Sequence, residues 1–297
     1  MTKTIATHDG KFHADDVCAV AALALLIDGP IEVIRTRDND KINNADFVVD
    51  VGREYNTKKR RFDHHQEEGA GVRENGIPYA SFGLVWKAYG EKLCGSKAVA
   101  EMIEKEIVQS VDAVDNGVDL VISKFNDIKP FDLGGIVNAF RPTWKEGGEN
   151  TDIAFAELVR FVKTLLAREI MRMRAKEEVK ISVAKAYENS VDKRVIILDT
   201  PYSREDVVDA LYKYPEPLYF LRPVTSGDEW PVVCVRDNPQ SFVNRKDLPK
   251  NWAGKTGEEF AKISGVPDAI FCHRSLFMAV AGSKDGAVAL AKRALDL

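Results

Sequence analysis

The first fifty residues leave this chain little choice of fold class. Residues 3–7, Lys-Thr-Ile-Ala-Thr, read as a short buried strand. An Ala- and Leu-rich run over 14–26 reads as a helix suited to packing on a sheet, and 31–36 and 45–49 read as two further strands. Strand, helix, strand, strand with apolar strands predicts an α/β layer around a mainly parallel sheet flanked by helices. Ligands of such sheets bind beyond the carboxyl ends of the strands, and His8 and Asp50 stand at two of those ends.

The protein has five histidines in 297 residues, and four of them fall in the first 65. His8 and His13 flank Gly10, with Asp15 and Asp16 close behind; Asp50 follows Val48-Val49; Asp63 leads into His64-His65. Imidazole and carboxylate together suit Mn²⁺, Fe²⁺ or Zn²⁺, and no cysteine interrupts the clusters. A strand–loop–helix turn can bring His8, His13 and Asp15 to one point. Asp50, from a neighbouring strand exit, can set its two oxygens between two ions. Adjacent strand residues point to opposite faces, so His64 is expected to ligate and His65 to face a phosphate. Asp115, which directly precedes Asn116-Gly117, is the choice over Asp112 to complete the second ion's shell. Two such ions about 3.5–4 Å apart activate water against a phosphate ester. Each residue also has an ordinary reading as helix cap, dipole partner or turn former. Their shared placement favours a metal site.

Beyond the clusters, 66–77 reads as a Gly- and Glu-rich loop, 81–89 and 96–114 as helices, and 127–143 as irregular. Thr151-Asp152 opens a long helix to about 188, striped by Phe155, Leu158, Val162, Leu166, Ile170 and Met173. A boundary near 190 then divides a first domain, 1–190, from a second, 191–297, with strands at 195–198, 218–221, 232–236 and 270–272 and a final helix at 286–295. A net charge of −4 provides no overall basic field, so a polyanion must be captured by local cations and metal. Lys58–Arg61 is either a phosphate-attracting rim or a solvated turn. Arg245, Lys246 and Trp252 combine charge with an aromatic ring able to stack on a base, and His273 can hydrogen-bond a phosphate. The four cysteines are scattered, no apolar run approaches the roughly 18 residues of a membrane span, and the N-terminus reads as a strand without a targeting segment. The expected location is the cytoplasm, with no membrane partner.

Asp63-His64-His65 is the signature of the DHH phosphoesterase superfamily. The wider pattern adds Thr7-His8-x-Gly10-x-Phe12-His13-x-Asp15, Val48-Val49-Asp50-Val51-Gly52, Val111 to Gly117, Pro142-Thr143-Trp144 and Phe271-Cys272-His273. Together these resemble the melanocyte-proliferating-gene family of DHH-like metal-dependent hydrolases. The resemblance implies an N-terminal DHH-type domain and a smaller C-terminal α/β domain that closes over the metals and binds substrate. It implies a two-metal phosphoesterase acting on short single-stranded RNA or DNA, as a 3′–5′ exonuclease on RNA. A pyrophosphate or nucleotide hydrolase, or a non-catalytic metal binder, are the alternatives. By the same analogy His8, His13 and Asp50 hold one ion, and Asp15, Asp50, His64 and Asp115 the other. The ions are Mn²⁺, with Mg²⁺ or another divalent metal as the alternative. Asp63 and His65 are then catalytic, and Arg245, Lys246, Trp252 and His273 bind substrate. The chain departs from the family pattern at Asp9, where Asn is expected, and after His273, where Arg274-Ser275-Leu276 replaces a segment that tends to hold a small residue and Gly before Phe277.

Overall fold

Helix α1 (Ala14–Leu26) is buried on every side from Asp15 to Ala24, as an all-apolar helix must be. It is held between the sheet and α3 (Ser81–Cys94). The computed structural model describes residues 1–297 except 126, 127, 129, 147–149, 226 and 239. In its first sheet β1 (Lys3–Thr7) runs parallel to both β2 (Ile31–Arg35) and β3 (Phe47–Val49), with the short helix α2 (Asn39–Asn44) between the last two. Next, β3 runs parallel to β5 (Arg61–Phe62), and the antiparallel β4 (Tyr55–Asn56) closes that edge. The order is β2-β1-β3-β5-β4. Three adjacent parallel strands therefore release their chains at one rim: β1 into His8, β3 into Asp50, and β5 into Asp63-His64-His65.

The helix expected over 96–114 is present, but a π-helical turn at Glu104–Val108 interrupts it between α4 (Lys97–Ile103) and α5 (Gln109–Asp115). Such a turn shifts the helical phase, and π-bulges recur beside functional sites. Within the stretch expected to be irregular, residues 127 and 129 lie outside the described residues, and α6 (Leu133–Phe140) forms where Gly134-Gly135 argued against a helix. Asp132 caps it, accepting a hydrogen bond from the Gly135 N–H at 2.9 Å.

The long helix α7 (Thr151–Asn189) has nearly its expected bounds. The division into two units, Met1–Arg174 and Ala175–Leu297, falls inside it and not at its end near 190. The reason is side-chain packing. Phe155 to Met173 belong to the first core, whereas Val179 and Val183 already pack with Ile196, Val207 and Phe220. In the second unit β6 (Val195–Ile197) pairs parallel with β7 (Tyr219–Leu221). The other neighbours, β8 (Trp230–Cys234), β10 (Met278–Ala281) and β9 (Ala269–Cys272), are antiparallel, giving the order β6-β7-β8-β10-β9. Helices α8 (Arg204–Leu211), α9 (Gly257–Ser264) and α10 (Lys284–Asp296) complete it. Both units are α/β, the first sheet mainly parallel and the second mixed. Among the described residues no helix is long and apolar enough to cross a membrane.

Candidate metal centre

Asp50 leaves β3 with φ of 54°, a left-handed conformation uncommon for a residue with a side chain. This buried carboxylate points two ways. Its Oδ2 lies 3.3 Å from His8 Nε2, and its Oδ1 lies 3.4 Å from His64 Nε2. His64 Nε2 is also 3.2 Å from Asp115 Oδ2 and 4.0 Å from Asp15 Oδ2. Three groups bring ligand atoms within 4.8 Å of one another: His8, His13 and Asp50; Asp15, His64 and Asp115; and Asp50, His64 and His65.

These separations exceed the roughly 2.7–2.9 Å of charge-assisted hydrogen bonds. Those of 3.2–3.4 Å suit the spacing of about 3.0–3.4 Å between donors that share one ion at about 2.1 Å. His64 Nε2 and Asp16 Oδ2 are buried and, among the described residues, have no hydrogen-bond partner, a costly state in a low-dielectric interior. Burial and the charges of Asp50, Asp115 and Asp112 push Asp15 well above the usual carboxylate range. Burial lifts Asp16 to about 7. Burial opposes charge on His64, yet Asp115, Asp50 and Asp15 outweigh it and push the imidazole up to about 11. Asp50 is itself held below the usual range despite burial, because His64 and His8 flank it. A place that holds a proton so firmly is a place for a cation. The donor set therefore fits divalent metal.

The same carboxylates also hold the fold. Asp15 accepts the N–H groups of Ser81 and Phe82 at 2.9 and 2.6 Å, capping α3. Asp112 accepts the Gly83 N–H at 3.0 Å and Arg73 Nη2 at 2.7 Å, so Asp115 and not Asp112 stands beside His64. Asp63 touches one of the ligand candidates, His65. Its Oδ2 accepts the Arg53 N–H at 2.6 Å and its Oδ1 meets His65 Nδ1 at 2.8 Å. These contacts tie Asp63 to the backbone at Arg53 and to the ring of His65. That contact raises the His65 pKa, with burial opposing.

A cavity of about 810 Å³ opens over the cluster, lined by His8, His13, Asp50, His65, Asp115 and a set of cations. Those cations are Lys11, Arg37, Arg53 and Arg141, none of them assigned a role from the sequence. Lys58–Arg61 does not line it. Lys59 pairs with Glu54 at 2.9 Å and Arg61 donates to the carbonyls of Lys59 and Asn43, as a solvated turn would. Asp16 likewise escapes a reading of the sequence. It accepts the His13 N–H at 2.7 Å, and an acidic residue in a first helical turn needs no further reason to be there.

In the second unit three of the four expected substrate residues have other partners. Trp252 is fully buried, its ring edge-on to Phe260 at 5.5 Å, so it cannot stack on a base. The Arg245 guanidinium donates to the carbonyls of Tyr214 at 2.6 Å, Pro217 at 3.0 Å and Tyr212 at 3.2 Å, closing the end of α8. Lys246 Nζ reaches the Leu295 carbonyl at 3.3 Å, in the last turn of α10. His273 Nδ1 accepts the Ser275 N–H at 3.1 Å, with Nε2 on the other side of the ring. In the segment after it, Leu276 adopts φ of 58°, the conformation a glycine would take freely.

A family model described as Uncharacterised protein family (UPF0160), MYG1_exonuc, matches residues 4–295. The chain is 30% identical over 326 aligned residues to the MYG1 exonuclease of Homo sapiens, covering 98% of this chain and 85% of that protein. It is 31% identical over 294 residues to the MYG1 protein of Chlamydia trachomatis serovar D, covering 96% and 94%. Among solved structures it is similar to RecJ of Thermus thermophilus in complex with Mn²⁺, at 12% identity and a TM-score of 0.29, a score from which no common fold follows. The chain spans about half the length of that RecJ chain, covering 52% of it.

Proposed function

This chain belongs to the MYG1 exonuclease family, UPF0160, and from that premise we propose that it is a metal-dependent phosphodiesterase that shortens single-stranded nucleic acid, as a 3′–5′ exonuclease on short RNA. One observation carries the reading: Asp50 Oδ2 faces His8 at 3.3 Å while its Oδ1 faces His64 and His65 at 3.4 Å, the two oxygens turned to different imidazoles as those of a carboxylate shared by two ions would be. His8, His13 and Asp50 would hold the first ion, and Asp15, Asp50, His64 and Asp115 the second. A mixed imidazole and carboxylate set suits Mn²⁺ better than Mg²⁺, which keeps to oxygen ligands. When bound, a pair of divalent ions lowers the pKa of water and neutralises charge developing on phosphorus.

The chain's own residues supply the rest. Asp63 fixes the ring of His65 with its proton on Nδ1, leaving Nε2 for a phosphate oxygen. Asp15, anchored by two backbone N–H groups of α3, keeps its carboxylate fixed before any ion arrives. An overall acidic chain favours short or end-bound substrates over long duplexes, whose binding needs many cations. Four free, buried cysteines support a reducing compartment, the cytoplasm in this reading.

Purified protein, stripped of metal and reloaded with Mn²⁺, tests the reading on a short 5′-labelled RNA, on pyrophosphate and on 3′,5′-bisphosphoadenosine. Stepwise shortening of the RNA that stops on chelation is the expected result. Hydrolysis of pyrophosphate alone would replace it with a small-molecule hydrolase. Tight Mn²⁺ binding with no hydrolysis of any of the three would make the site non-catalytic.

A further inference from the structure

Two of the turns beside metal-binding candidates set a cation directly after a left-handed glycine. Between His8 and His13, Gly10 at φ of 77° is followed by Lys11; after Asp50, Gly52 at φ of 91° is followed by Arg53. Both cations line the cavity over the cluster. The other two cations there have partners. Arg37 Nε lies 3.0 Å from Asp9 Oδ1, and Arg141 donates to the Phe12 carbonyl and the Asn138 side chain. The side chains of Lys11 and Arg53 have no partner among the described residues.

Arg53 is the more telling of the two. Its backbone sits at φ of 53°, where glycine is at ease and an arginine is strained. Its N–H holds Asp63 Oδ2 at 2.6 Å, and the other oxygen of Asp63 holds His65 at 2.8 Å. The base of the Arg53 side chain is thus tied through one carboxylate to the imidazole that faces substrate. Glycine at 53 would keep that backbone bond without strain but would bring no charge. The side chain is what the strain retains.

The cavity also carries the carboxylates of Asp9, Asp50, Asp63 and Asp115. A chain of phosphodiesters entering it is repelled wherever one of these carboxylates lies without a cation beside it. A guanidinium grips a phosphate through two parallel N–H groups, and an ammonium adds a point charge. We infer that Lys11 and Arg53 together seat the phosphate that neighbours the scissile one, and so select linked phosphodiesters over isolated phosphate esters. This rests on the phosphodiesterase reading of the metal centre.

The test compares wild type with Arg53→Gly, Lys11→Gln and the double variant, all loaded with Mn²⁺, on a short RNA across a salt series. Each single change should raise KM about tenfold and reduce the slope of log KM against log salt by about 0.7, with kcat little changed. Melting temperature and bound Mn²⁺ should match wild type, and Arg53→Gly should melt no lower, because it relieves the left-handed backbone. An unchanged KM and slope in the double variant, with RNA still cleaved, would overturn this inference alone. Loss of bound Mn²⁺ in either variant would also overturn it, by placing the cations in the metal centre. Wild type that cleaves no RNA would overturn the phosphodiesterase reading, and this inference with it.

Discussion

Asp50 in the first unit and Arg245 in the second each set a charge among packed side chains, but their surroundings are opposite. The Arg245 guanidinium meets three backbone carbonyls at 2.6–3.2 Å. Asp50 meets three imidazole nitrogens at 3.3–3.4 Å, those of His8, His64 and His65, and nearby His64 Nε2 and Asp16 Oδ2 have no hydrogen-bond partner among the described residues. The second unit does leave single groups unmatched, Trp252 Nε1 among them. Those are lone N–H donors, whereas all three sets of converging ligand atoms among the described residues belong to the first unit. A polar group with its bonds complete holds a fold together. A converging set with bonds missing calls for a ligand.

Asp50→Ala puts the largest effect on this contrast. Mn²⁺ affinity should fall by more than the 10–100-fold or so typical of groups outside the ligand shell, and RNA cleavage should become undetectable. Calorimetry adds a second measure: Mn²⁺ at about one hundred times its Kd should stabilise wild type by about 2.7 kcal/mol and leave the variant unmoved. Retained Mn²⁺ binding in Asp50→Ala would make the first unit's charges structural, like those of the second, and end the contrast. His65→Ala should keep both ions and lower kcat by about 10²–10³, the range of a lost donor to charge developing in the transition state. A rise in KM alone would instead make His65 a binding group. Trp252→Ala should do the reverse of Asp50→Ala. It empties a core position at a cost of about 3–5 kcal/mol in denaturant unfolding, with Mn²⁺ content of the folded protein unchanged.

The contrast was legible on one side only. His8 and Asp50 could be read because the strands that release them are apolar and their exits are the known place for ligands in a parallel sheet. The strand that delivers His64 could not. It is two residues long, Arg61–Phe62, too short for any period to show, and only the run Asp63-His64-His65 betrayed it. Asp16 was hidden by having a sufficient ordinary reason to be acidic. Arg53 and Arg141 were hidden because a lone cation in a loop carries no spacing. In the second unit, Lys250-Asn251-Trp252 does pair a cation with an aromatic ring. A single 3₁₀ turn over Lys250–Trp252 rotates that ring inward onto Phe260, and one turn of helix leaves no pattern from which its facing could be read.

Arg245→Ala should cost about 1–3 kcal/mol, since it strips donors from two half-buried carbonyls and an exposed one, and should leave RNA cleavage per folded molecule intact. A loss of cleavage at unchanged stability would return Arg245 to substrate binding and blur the two units' difference.

The smallest effect concerns the segment after His273. Leu276 is held at φ of 58°, its N–H on the His273 carbonyl at 2.9 Å and its own carbonyl accepting the Leu248 N–H at 3.0 Å. A left-handed residue with a Cβ costs about 1–2 kcal/mol. Its side chain packs in part on the second core, so truncation loses burial of similar size. Leu276→Gly should therefore be nearly neutral, within about 1 kcal/mol. Leu276→Ala loses the same packing and keeps the strain, so it should be the less stable of the two by about 1 kcal/mol, the reverse of their order in a regular helix or strand. The difference in denaturant midpoint between the two variants isolates the backbone contribution, because nearly the same contacts are gone from both. Alanine equal to or above glycine would mean that packing, and not a conformation suited to glycine, shapes the turn beside His273.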